Sequence, residues 1–430
     1  MRLTTSSTKT RIPKPSLKTC SVSAPDARGF VLVLDAGTTG IKAFVFDGKG
    51  RVRAKVYQRI AKHTPRRGWV EQDPMEILRV SRSLLRRAVR QARVRLREVR
   101  GVGITNQREA TIVWEPETGK PVYPVIGWED TRTRALCARL SRQAGDTVRR
   151  LTGLTIDSYF SATKLRWIFD HTHTKDLRFG TMDTWLAWNL CKGRPHVTDE
   201  TNASRTLLFD IRAKRWSREL IRLFGVNDAS LPRVLPSRAW FGLLKKEVIG
   251  RPVPLLALCG DQQASTYAAL RSQPASRRSV TKVTYGTGVF VVQAAGKRFF
   301  LRDGFFTTLV PALGKGSAYA LEAKIEKSGE RVDRLLDDRP KLAAYFKSLS
   351  SQVRRIVKRL PAAPKELVVD GGIVRDSELA AIQQQTLGLS VCVQPTFDGT
   401  ALGCALLIWD VLTSSSTPSH TTVRSSRTRG

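Results

Sequence analysis

Asp35, Thr38 and Thr39 lie between two apolar runs in the stretch FVLVLDAGTTGIKAFVFD, residues 30–47. That pattern predicts a strand hairpin whose tip gathers backbone N–H groups, two hydroxyls and a carboxylate. Such a tip suits a phosphate and its metal, although a Gly-Thr-Thr-Gly turn by itself is more often plain hairpin. It is not a Walker loop, because no G-x-x-x-x-G-K-[ST] is present and the turn runs into a strand rather than a helix. A second polar cluster, Thr105-Asn106-Gln107-Arg108-Glu109, closes the apolar run at 99–104. Polar residues at a strand's end are where an α/β domain places its ligand. Neighbouring Arg and Glu can hold vicinal hydroxyls, the guanidinium donating and the carboxylate accepting, while the pair alone reads more readily as a surface ion pair.

Further along, residues 253–259 read as a buried strand followed by Gly260-Asp261-Gln262-Gln263 and a helix. Asp261 at that junction either does chemistry or caps the helix, the commoner role. Trp128-Glu129-Asp130 and Ser158-Tyr159-Phe160 add aromatic surface of the kind against which carbohydrate carbons pack. His171 and His173 form an H-x-H without a third ligand in view and read as loop histidines.

The elements that must position these groups are legible as periods. Val52, Ala54 and Val56 alternate with basic residues, which predicts a third strand after the hairpin. A helix should start at Asp73 as N-cap, with Pro74 in its first turn and Glu76 placed for a capping box. Along it Arg79, Arg82, Arg86, Arg90, Arg93, Arg97 and Arg100 fall on one stripe, read as a solvated face rather than an anion site. Residues 279–292, SVTKVTYGTGVFVV, repeat the opening strand-turn-strand pattern, so an internal duplication is expected, one domain starting at each hairpin. Residues 367–407 read as strand, Asp370-Gly371-Gly372, helix, strand, loop and helix.

With 430 residues the chain can bury a large core and divide into at least two domains. No apolar run is long enough for a membrane helix, so a soluble protein is expected. Its six cysteines are scattered without a C-x-x-C, which points to a reducing compartment and neither a zinc site nor a disulfide framework. A net charge of +36 raises nucleic acid or an acidic partner. The basic residues are spread along the whole chain, however, without a recognition motif, and that reading is not favoured. Residues 1–28 are basic and Ser-rich, a disordered tail or an import signal, and residues 413–430 form a second low-complexity tail.

Together these pieces resemble the FGGY carbohydrate kinases of the actin-like ATPase superfamily, and within them the glycerol kinase branch. The likeness rests on DAGTTGIKAFVFD, GWVEQDP, GVGITNQRE, GWEDTRT, DSYFSATKL, GTMDTWLAWNL, VTDETNASRTLLFDI, CGDQQAS and TYGTGVF, and returns in VDGGIVRDSEL and TALGCALL. It implies an α/β fold of two actin-like ATPase (ribonuclease H-like) domains with a ligand cleft between them. The first, residues 29–275, would bind substrate and phosphate, and the second, residues 276–412, the nucleotide. The implied reaction transfers phosphate from ATP with Mg²⁺ to glycerol. Asp261 matches the general base. Arg108, Glu109, Tyr159 and Gln262 match the polyol contacts, and Trp128 and Phe290 the rings on which its carbons lie. Thr38, Thr39, Lys42 and Thr287 match phosphate contacts, Asp35 the carboxylate for hydrated magnesium, and Gly329, Gly372 and Asp376 the adenosine side. Such a protein would be cytoplasmic and a homo-oligomer.

The chain is shorter than the usual family member, and the second domain carries the loss. Between Glu322 and Leu367 the family's Gly-Leu-Gly-Ala-Pro-Tyr-Trp segment and its following helix have no counterpart, and a basic stretch stands there instead. Lys324 and Lys327 replace small or apolar residues and would be costly if buried unpaired. A kinase for another small polyol or ketose, or a non-catalytic member binding a ligand or an acidic partner, are the alternatives.

Overall fold

The computed structural model describes residues 18–20, 22, 27–174, 176–273, 279–286, 288–325, 328–375, 377–394 and 398–414. The first hairpin forms as expected from β1 (Phe30–Ala36) and β2 (Gly40–Asp47), and β3 (Val52–Arg59) follows antiparallel to it. Helix α1 (Pro74–Ala92) starts at Asp73, whose side chain accepts from Met75 N. Glu76 accepts instead from Ala61 N at 3.4 Å, tying the helix start to the preceding loop. Strands β4 (Val99–Asn106), β5 (Arg238–Leu243) and β6 (Pro254–Gly260) complete a sheet of order β5-β6-β4-β1-β2-β3, and β6 runs directly into α2 (Asp261–Arg271).

The second hairpin, β7 (Thr281–Tyr285) and β8 (Val289–Gly296), opens a sheet built the same way. It continues through β9 (Phe306–Pro311), β10 (Ser317–Ile325), helix α3 (Arg339–Val357), β11 (Glu366–Asp370), α4 (Ser377–Leu387), β12 (Ser390–Val393) and α5 (Gly399–Thr413). Within its order, β12-β11-β7-β8-β10-β9, the first five strands match β6-β4-β1-β2-β3 in position and direction, as a duplicated unit requires.

Each unit has its own core. Leu32, Leu34, Ile41, Val45, Leu84 and Leu85 pack between the first sheet and α1, and Val283, Val291, Leu342, Phe346 and Val369 between the second sheet and α3. The opposite face of the first sheet, with Val31, Val33, Phe44 and Phe46, is covered by Leu402, Ile408 and Trp409 of α5, from the far end of the chain. Helices α2 and α5 cross between the sheets so closely that a Cβ on Gly403 would stand 1.8 Å from Ala264 O.

Three features depart from expectation. A helix, α3, fills the basic stretch where none was foreseen, because Leu342, Phe346, Leu349 and Val353 recur at helical spacing and are all buried. Cys20 and Cys392 form a disulfide with a Cα separation of 5.6 Å, where no pairing was expected. The two-residue strand Lys18–Thr19 brings them together at the edge of the second sheet, pairing parallel with β12. On α1, the arginine stripe is partly tethered: Arg86 Nε donates to Val248 O at 3.0 Å and Arg82 Nη2 to Asn189 O at 3.3 Å.

Candidate active site

Parallel strands β1, β4 and β6 end in one row, Ala36 opposite Asn106 and Asn106 opposite Gly260. The hairpin tip, Arg108–Glu109 and Asp261–Gln262 therefore leave the sheet side by side. Gln107 N donates to Ala36 O at 2.8 Å and locks the second loop to the first. Backbone at Glu109 then turns through φ +55°, unusual for a residue with a side chain. Lys164 holds that turn: its buried Nζ donates to Glu109 O at 3.0 Å and Tyr159 O at 2.9 Å, and burial pulls its pKa down to about 8.

Four charged side chains meet behind this edge. Arg108 Nη1 donates to Glu322 Oε2 at 2.6 Å, Arg205 Nη2 to Glu322 Oε1 at 2.9 Å, and Arg205 Nε to Glu109 Oε1 at 2.6 Å. All four are nearly excluded from solvent. Burial alone would raise the Glu322 carboxyl, but Arg108 and Arg205 hold it below the ordinary glutamate value. Glu322 belongs to β10, so the second unit supplies the anion that neutralises the first unit's guanidinium pair. Asp261 Oδ1 lies 3.1 Å from Arg108 Nε, with its side chain 30% exposed to the cleft. Its burial, opposed by Arg108, pushes its pKa up to about 6. Arg205 Nη1 and Gln262 Oε1 are buried without a hydrogen-bond partner, which marks this edge as a place for polar ligand groups.

Across the cleft, Phe290 of β8 lies under the Arg108 guanidinium, centroid at 5.7 Å. Trp128 meets Tyr159 edge to face at 5.6 Å, and its Nε1 donates to Thr38 Oγ1 at 2.9 Å, linking rings to hairpin tip. A cavity of about 510 Å³ is lined by both units, among them Trp128, Arg134, Tyr159, Glu322 and Lys324. Lys324 is not buried without company: its Nζ lies 4.1 Å from the Tyr159 centroid and 4.7 Å from that of Trp128.

At the tip, Thr38 is half-buried and Thr39 exposed. Lys42 Nζ sits 3.6 Å from Asp35 and 3.2 Å from Asp398. Asp35 is raised from its ordinary value, by burial above all. Gly329 lies in the helix Ser328–Leu335, and Gly372 opens the turn after β11, where a side chain would meet nothing within 4 Å. Thr287 and Asp376 fall outside the described residues. No cluster of three metal-ligating side chains occurs among the described residues, and His171 is stacked on Trp167 at 4.0 Å.

The structure thus brings Arg108, Glu109, Trp128, Tyr159, Asp261, Gln262 and Phe290 to one cleft. Sequence reasoning missed Arg205, Glu322 and Lys164 as parts of it. Arg205 stood in the motif TNASRT, but nothing local shows that a residue 117 positions away completes its ion pair.

The family model for the N-terminal domain of the FGGY family of carbohydrate kinases matches residues 30–268. Glycerol kinase 2 of Thermotoga maritima is 41% identical over 317 residues, 72% of this chain and 63% of that protein. The glycerol kinase of Delftia acidovorans is 41% identical over 342 residues, 77% of this chain and 67% of that protein. The chain therefore spans somewhat under two thirds of the Thermotoga relative. The crystal structure of Plasmodium falciparum glycerol kinase with ADP superposes with a TM-score of 0.79 at 25% identity, covering 89% of each chain.

Proposed function

The chain belongs to the FGGY family of carbohydrate kinases, and from that premise we propose that it transfers the γ-phosphoryl group of ATP to glycerol, giving sn-glycerol 3-phosphate. The observation that carries this reading is the shared edge of β1, β4 and β6, which sets Asp261 beside Arg108 with one strand between it and the hairpin tip.

Phosphoryl transfer needs positioning and charge cancellation more than covalent help. Arg108 donates to and Glu109 accepts from vicinal hydroxyls, with Gln262 and Tyr159 completing the polar wall. Trp128 and Phe290 face the carbons. Asp261 takes the proton of the attacking hydroxyl. A base is most effective when its pKa lies near the working pH, and burial brings this carboxylate to about 6. Thr38, Thr39 and Lys42 meet the phosphates, and Gly329 and Gly372 meet the adenosine; Thr287 and Asp376, which the family resemblance adds to these two sets, lie outside the described residues.

Asp35 suits a magnesium ion: it offers a hard carboxylate oxygen at the tip without a protein cage around it, the donor set of a hydrated ion shared with phosphates. When bound, that ion supplies positive charge to the transferring group. Lys42, 3.6 Å from Asp35, sits close enough to share the work of screening.

An ADP-release assay over a panel of polyols tests the proposal. Turnover with glycerol, lost in Asp261→Asn, is expected. No turnover with any acceptor, or equal rates for Asp261→Asn and the parent, overturns it.

A further inference from the structure

Arg79, Arg82, Arg86 and Arg90 recur every three or four residues along α1 and so stand on one stripe of the helix. Together they line a cavity of about 380 Å³, with the exposed Met75 among them. Two of the four are fixed from behind. Asn189 O, one of the last carbonyls of the helix Met182–Leu190, accepts from Arg82 Nη2 at 3.3 Å and from Lys245 Nζ at 3.0 Å, so two cations share one acceptor. In the short helix Lys246–Ile249, Val248 O accepts from Arg86 Nε at 3.0 Å and Glu247 O from its Nη2. Carbonyls at a helix end draw cations, but they carry no full charge to cancel them. None of the four arginines makes an ion pair with a described residue. The acids nearest on α1 do not line the cavity: Asp73 accepts from Met75 N and Glu76 from Ala61 N. Crowding of like charge shows beside it at Lys245, whose pKa is lowered by burial and then by Arg82 and Arg194, against weaker upward pulls from Cys191 and Glu247.

The missing anion does not come from this chain. Its net charge is +36, residues 1–28 hold a single acid and residues 413–430 none, so a second copy or either tail would add repulsion. A nucleic acid would find no ring to stack on among the lining residues. The helical spacing of the arginines matches carboxylates that repeat every three or four residues. We propose that this groove docks an acidic α-helical segment of another protein, its Glu or Asp side chains taken by the guanidinium forks of Arg79, Arg82, Arg86 and Arg90 and an apolar side chain resting on Met75.

The probe is a fluorescein-labelled helical peptide with Glu at every third or fourth position and a Leu at one end. Its binding to the full chain is followed by fluorescence anisotropy at physiological salt, where exposed charges alone are screened. Arg79 and Arg90, unlike Arg82 and Arg86, hold no backbone carbonyl of a described residue. The double variant Arg79→Gln, Arg90→Gln should therefore keep the parent's melting temperature while affinity falls about tenfold. Arg53→Gln with Arg218→Gln, both exposed and outside the cavity, removes the same charge and should change affinity less than twofold. A peptide of the same composition with Glu at alternate positions should bind more weakly. No saturable binding, equal losses in the two double variants, or equal affinity for the two peptides overturns the inference. So does a single-stranded oligonucleotide of equal charge that binds more tightly than the peptide and loses affinity in Arg79→Gln, Arg90→Gln.

Discussion

The two hairpins are built alike yet hold different chemistry. In each, the first Gly of the tip closes the turn onto the last, Gly37 N to Gly40 O and Gly286 N to Gly288 O, both at 3.1 Å. Two residues before that first Gly stands Asp35 in one unit and Thr284 in the other. The first unit's edge carries Asp35, Arg108, Glu109 and Asp261 toward the cleft. In the second, the acid at the strand end, Asp370, is locked at 2.7 Å by buried Lys282 and is also bonded by Ser265. The scaffold was kept on both sides, and reacting groups were concentrated on one. What the second unit sends across is a small set, Phe290, Glu322 and Lys324, of which Glu322 is the anion shared by Arg108 and Arg205.

That contrast can be broken in graded steps. Asp261→Asn should lower kcat by about a hundred- to ten-thousand-fold with the fold intact, measured by ADP release and circular dichroism. In the second unit, Asp370→Asn should instead appear in stability, as a lowered denaturant midpoint, since it leaves the buried Lys282 without its anion. Glu322→Ala removes the anion that Arg108 and Arg205 share, leaving two buried cations with only Asp261 and Glu109, and should cost about 3–5 kcal/mol in denaturant unfolding. Leu349→Ala in α3 should cost about 2–5 kcal/mol, which checks that the basic stretch forms the second core. The pH profile sharpens the assignment of the base. As the proposed base, Asp261 would act deprotonated, so kcat/KM should be flat above pH 6 and fall about tenfold per unit below it. The mildest effect is expected at the α1 cap, where Asp73→Ala should cost about 1 kcal/mol and leave turnover alone.

Both hairpins, the strand ends with Arg108 and Asp261, and the closing β-α-β-α unit were legible because each is written in local periods and turn residues. The buried quartet was not, since Glu322 and its partners are far apart in the chain and no local pattern pairs them. Cys20 and Cys392 escaped for the same reason, at a separation of 372 residues. Helix α3 is a different case. Its apolar spacing was present in Leu342, Phe346, Leu349 and Val353, but the density of Lys and Arg around it masked the period. Lys324 was expected to be costly if buried unpaired; it lies over the Tyr159 and Trp128 rings, contacts that no local pattern in the sequence foretells.

The crossing of α2 and α5 has a consequence for biosynthesis. A ribosome releases β1 and β2 early, yet the helix that shields Val31, Val33, Phe44 and Phe46 begins only at Gly399. Until then that face of the first sheet is an unshielded apolar surface, the kind through which incomplete chains aggregate. Gly403 sharpens the requirement, because any bulkier residue there would keep the late-arriving helix from seating against Ala264.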